Sequence, residues 1–144
     1  MNRLDTWETK LEKYLLKNNN RRFKWGKFDC VIFAAGAFKA VHGTNPLDKL
    51  EKPYTGKTGG LKLIQQLGEG SLWQAADGVL AQLGFERSNP SFAQPGDLVG
   101  AYNHENLEML GVMEDYGTCT FASEEGLARL PLAQVKVRWA PCQS

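Results

Sequence analysis

The sequence predicts an α+β fold, with N-terminal helices packed on a small antiparallel sheet, from two observations. Apolar residues recur at helical spacing through the first half, up to Gly84. From Phe85 onward the pattern shifts to short alternating runs separated by turn residues, as strands require.

The first helix is read from Trp7, Leu11, Tyr14 and Leu15, which share one face. Asp5 is its expected cap, with Glu8 three residues on completing a capping box, and Asn18, Asn19 and Asn20 end it. Arg21, Arg22 and Lys24 follow as a solvated basic patch. The second helix is expected from Cys30 to Val41, capped by Asp29 and stopped by Gly43. Cys30-Val31-Ile32-Phe33-Ala34-Ala35-Gly36-Ala37-Phe38 is apolar all round, which places this helix at the centre of the fold.

Thr44 to Gly60 reads as a long loop, followed by a short helix from Leu61 to Leu67 that Gly68 ends. Ser71 caps the next helix, with Gln74 as its capping-box partner. Leu72, Ala75, Ala76, Val79, Leu80 and Leu83 form its buried stripe, and Gly84 closes it. Four strands are expected. Gln94-Pro95-Gly96-Asp97 turns into the first, Leu98 to Tyr102. Leu110 to Met113, Cys119 to Ala122 and Val135 to Trp139 are the others.

The 144 residues make one domain, long enough to bury a core without disulfides or metals. Seventeen basic and 16 acidic residues leave a net charge of +1, which gives no electrostatic reason to expect nucleic acid as a partner. No apolar run is long enough to span a membrane, and the polar segment from Met1 to Glu8 does not read as a signal peptide. The three cysteines, Cys30, Cys119 and Cys142, are odd in number and are read as free thiols. They lack C-x-x-C spacing, and His42 and His104 lack ligand-like spacing, so neither metal nor cofactor is expected. Gly56-Lys57-Thr58 lacks the upstream glycine of a phosphate-binding loop.

The chemistry concentrates in Phe23-Lys24-Trp25-Gly26-Lys27-Phe28-Asp29-Cys30. A thiol at the first position of a helix meets free backbone N–H groups and the positive end of the helix dipole. Both favour the thiolate, which is the nucleophilic form. Asp29 fixes the helix start, Gly26 permits a tight approach, and Trp25 and Phe28 are candidate cleft walls. A buried, inert cysteine is the competing reading of Cys30.

The run Trp25-Gly26-Lys27-Phe28-Asp29-Cys30 before an apolar helix resembles the catalytic-cysteine segment of NlpC-type, papain-like peptidases, which cleave peptide bonds in peptidoglycan. Gln94-Pro95-Gly96-Asp97-Leu98-Val99 resembles that family's turn into its first core strand. Leu110-Gly111-Val112, Phe121-Ala122-Ser123 and Gly126-Leu127 resemble the strands that follow. With the Pro53-Tyr54 loop and Trp139, the resemblance runs from about residue 20 to residue 139. It is closer still to short phage and prophage proteins encoded among tail genes.

In the peptidases a histidine stands two residues before the glycine matched by Gly111, and here that position is Met109. Methionine cannot take a proton from a thiol. His42 lies at the far end of the Cys30 helix. His104 sits in the loop Tyr102-Asn103-His104-Glu105-Asn106, either as an exposed loop residue or folded back as a substitute base.

The resemblance therefore implies a tail-tip or baseplate structural protein on a degenerate peptidase scaffold. Its partners would be other tail-tip or hub proteins and cell-wall peptide. It would be made in the host cytoplasm and carried in the virion tail. The alternative is an active cysteine peptidase or amidase acting on peptidoglycan during genome entry, with Cys30 as nucleophile, His104 as base, and Trp25, Gly26, Asp29 and Met109 lining the cleft.

Overall fold

The computed structural model describes residues 1–50 and 54–142. Four α-helices, α1 (Trp7–Asn18), α2 (Cys30–His42), α3 (Gly56–Gly68) and α4 (Leu72–Ala81), precede six strands. The strands are β1 (Phe85–Ser88), β2 (Leu98–Tyr102), β3 (Glu108–Met113), β4 (Thr118–Ser123), β5 (Gly126–Pro131) and β6 (Val137–Pro141). They form one antiparallel sheet in the order β1-β6-β2-β3-β4-β5. The fold is α+β.

The four strands expected from sequence are the four central ones; β1 and β5 are the two edges. An edge strand has one neighbour and exposes more of its length, so its residues need not be apolar. Glu86 and Arg87 of β1, and Arg129 of β5, are of that kind. The last strand begins at Val137 rather than Val135, because Leu132–Gln134 forms a 3-10 turn that ends at Val135.

The sheet's pleat sends alternate residues to opposite faces. Leu98, Leu110, Val112, Ala122, Val137 and Trp139 point to the helices and join Phe33, Phe38 and Leu80 in the main core. Val99, Ala101, Met113, Cys119 and Phe121 point the other way into a second cluster, with Ala93 and Val135 over them.

Helix α2 is central, as its sequence requires: Phe33, Ala37 and Val41 have no exposed surface. Its ends are as expected. Asp29 accepts the N–H of Ile32, and Gly43 adopts a left-handed conformation at φ +84°. The other three helix starts differ from expectation. In α1, Thr6 rather than Asp5 holds the cap position and no side chain closes it. Tertiary contacts hold this end instead: the N–H of Leu4 donates to the Val41 carbonyl, and Arg3 donates to Asp97 and to the Pro95 carbonyl.

In α4, Ser71 accepts the N–H of Gln74 as expected, but the box partner is not Gln74. Glu108 of β3 takes that part, accepting from the Ser71 hydroxyl and the Trp73 N–H. The third helix starts at Gly56, inside the expected loop, and Pro46–Lys49 forms a 3-10 turn. Gly59 and Gly60 weaken intrinsic helix propensity, which hid this start. Packing overrides them: Gly60 lies against the Trp25 ring, where a Cβ would stand 3.0 Å from it.

Candidate functional site around Cys30

Residues 24–28 make a tight hairpin that delivers the chain to the α2 start. Lys24 and Phe28 exchange backbone hydrogen bonds at 2.9 and 2.8 Å. At its tip Gly26 has φ +78°, and a Cβ there would stand 2.7 Å from the Gly56 nitrogen. Only glycine meets both demands without strain.

Asp29 is fully buried, and its two oxygens tie three segments together. Oδ1 accepts the N–H of Ile32 at 2.9 Å and Oδ2 the N–H of Gly26 at 3.0 Å. The Tyr54 hydroxyl donates to Oδ2 at 2.5 Å. Burial, and then this bond to the Asp29 carboxylate, push the Tyr54 hydroxyl pKa well up. Tyr54 was visible only as half of the Pro53-Tyr54 loop, and Pro53 lies outside the described residues. Its bond to Asp29 spans 25 positions, for which local sequence carries no signal.

Cys30 opens α2 as expected, but its thiol is shut away at 7 % exposure. The segment from Tyr54 to Gly60 closes over the corner: Tyr54 reaches Asp29, Gly56 abuts Gly26, and Gly60 abuts Trp25. Burial pushes the Cys30 pKa up to about 12. The backbone N–H of Leu110 pulls the other way, and the Asp29 carboxylate adds to the rise. The N–H groups of Cys30 and Val31 lower it too, as the helix-start argument requires. Desolvation wins. The raised pKa favours the protonated thiol at neutral pH.

Neither histidine is hydrogen-bonded to this thiol. His42 ends the same helix, about 18 Å away at 1.5 Å per residue. It is stacked on Phe38, and its Nδ1 lies 3.3 Å from the Phe38 carbonyl. Burial lowers its pKa to about 4, so it is a neutral packing residue. His104 sits on the β2–β3 loop with its side chain 88 % exposed and Nε2 3.5 Å from Glu105. Asn103 shapes that loop by accepting the N–H groups of Glu105 and Leu107. Of the two readings of His104, its 88 % exposed side chain fits the exposed loop residue and not a base paired with Cys30.

Two expected cleft residues are also corrected. The Met109 side chain packs on the second cluster, on the sheet face turned from the helices. Gly111, two residues on, shares that parity and lies under Phe121. The β3 residue beside Cys30 is Leu110, whose partners Leu98 and Val112 signal the same face by alternation. Phe28 is no wall: it is 1 % exposed and packs edge-on against Phe33. Trp25, Gly26 and Asp29 do gather at the α2 start.

The other thiols are Cys119, buried in β4, and Cys142, exposed after β6. Among the described residues, no three His, Cys, Asp or Glu side chains are grouped to hold a metal ion, and no helix is long and apolar enough to cross a membrane.

No curated protein and no solved structure matches the chain. A family model does match, over residues 2–140, from before α1 to Ala140 in β6. The chain thus belongs to the family described as a domain of unknown function, DUF6950.

Proposed function

We propose that the chain is a non-hydrolytic component of a phage or prophage tail tip or baseplate, built on an NlpC-type, papain-like scaffold. The observation that carries the non-hydrolytic part is the buried Cys30 thiol, whose pKa burial raises, with neither histidine hydrogen-bonded to it. A thiol hydrolase needs a thiolate and a base within hydrogen-bond distance.

What supports the scaffold is the arrangement of parts: a cysteine opening a buried helix, laid on an antiparallel sheet beside β3. What supports the tail assignment is the resemblance of the Trp25–Cys30 and Gln94–Val99 segments to short tail-gene proteins. Assembly with neighbouring tail proteins is then the role. Fold alone does not carry activity.

The test has two arms. Iodoacetamide labelling across pH 6–10 should modify Cys142 readily and Cys30 only after unfolding. Particles carrying Cys30→Ala should assemble and infect as wild type, with the chain present in purified particles. Peptidoglycan release that Cys30→Ala abolishes would overturn the non-hydrolytic reading, and absence of the chain from particles would overturn the tail reading.

A further inference from the structure

Helix α1 divides its charges between two flanks. Lys10, Lys13 and Lys17 share one, and Glu8, Glu12 and Leu16, spaced by four, share the other. Neither glutamate has a basic residue three or four positions away, and among the described residues neither forms an ion pair. Like charges four apart cost a helix stability, so this pair does not serve to hold α1 together.

The acidic flank borders a half-open groove of about 460 Å³, within the range of binding clefts. Leu11 and Leu15 form its floor, and Glu114 and Arg129 face α1 from the sheet. Arg129 is taken up within the chain, donating to Asn19 Oδ1 at 2.7 Å and to Glu114 Oε1 at 3.3 Å. Trp7, at one end, has the Arg3 guanidinium 4.4 Å from its ring centroid. Arg3 does not line the groove, and its guanidinium is bonded to Asp97 and to the Pro95 carbonyl. The Trp7 indole N–H is not among the buried atoms that lack a partner, so water or an occupant's carbonyl can reach it. Glu8, Glu12 and Glu114 against Arg129 leave the groove two negative charges. Leu16, at the other end, is 70 % exposed.

We propose that this groove docks a basic, amphipathic segment of a partner protein. Two lysine or arginine side chains one helical turn apart would meet Glu8 and Glu12, and an apolar side chain would meet Leu16. Charge selects the partner: two carboxylates with no cation of their own attract a basic segment and repel nucleic acid and anionic lipid. The apolar floor and Leu16 distinguish a peptide, which brings apolar side chains beside its cations, from a free polyamine, which does not. This inference goes beyond the tail reading and does not depend on it.

The experiment titrates the whole chain with the capped peptide Ac-AKLAAKL-NH2, with its counterpart Ac-AELAAEL-NH2 and with spermidine, following leucine methyl signals by NMR. The lysine peptide should shift Leu11, Leu15 and Leu16 saturably, at least tenfold more tightly than the glutamate peptide, and should weaken as salt is raised. Glu8→Gln/Glu12→Gln should keep Tm and lose at least tenfold in affinity for the lysine peptide. Glu12→Lys should reverse the order of the two peptides. Equal response to both peptides, or no saturable shift at these leucines, would overturn the docking site. Spermidine binding as tightly as the lysine peptide would overturn the protein partner in favour of a polyamine. Self-association in sedimentation that Glu8→Gln/Glu12→Gln abolishes would overturn it in favour of a second copy of this chain.

Discussion

Replacing Asp29 by alanine should be among the most damaging single changes in this chain. Three donors lose their acceptor at once: the N–H of Ile32, the N–H of Gly26 and the hydroxyl of Tyr54. Loss of the helix cap costs about 1 kcal/mol. Each of the other two donors, left unpaired in a buried corner, costs about 1–3 kcal/mol. The loss should come to about 3–7 kcal/mol, a large share of the roughly 5–15 kcal/mol that a domain possesses. Tyr54→Phe removes one bond to a charged acceptor and should cost about 2 kcal/mol. Because the two side chains share that bond, their losses should not add, and Asp29→Ala/Tyr54→Phe should cost less than the separate effects combined. Urea unfolding at pH 7, with unchanged slope and shifted midpoint, measures all three. A loss below 1 kcal/mol for Asp29→Ala, or strict additivity in the double variant, would refute this account of how the Cys30 corner is held.

Three further outcomes follow from the same geometry. His42 has its folded pKa lowered to about 4, so the unfolded chain binds a proton more readily, and stability should fall as pH drops from about 6.5 to 4. His42→Phe, which keeps the stack between Phe38 and Phe85, should flatten that slope by about 2–3 kcal/mol in urea midpoints at pH 7 and pH 4. Gly111→Ala places a Cβ against the Thr120 carbonyl and the Phe121 ring, and thermal melting should show a loss of about 2–3 kcal/mol. His104→Ala should leave the urea midpoint within about 0.5 kcal/mol and the Cys30 labelling rate unchanged, since its side chain is exposed and remote; slower Cys30 labelling would mean that the loop does reach the thiol.

The sequence by itself determined the α+β class, the ends of the central helix and the four inner strands. These depend on interactions spanning a few residues: the Asp29 cap on Ile32, the turn at Gly43, and the alternation of Leu98, Leu110 and Val112. It also marked the absence of a histidine at position 109. Tertiary structure decided the edge strands β1 and β5, each of which buries only its first residue and so carries no alternation to read, and the early start of α3, which Trp25 stabilises across more than thirty residues. It alone decided the state of Cys30. The helix start, legible in sequence, lowers the thiol pKa, whereas burial raises it and prevails. The thiol lies against Leu110 of β3, and Tyr54, Gly56 and Gly60 pack on its neighbours Asp29, Gly26 and Trp25, contacts between segments that only the folded chain brings together.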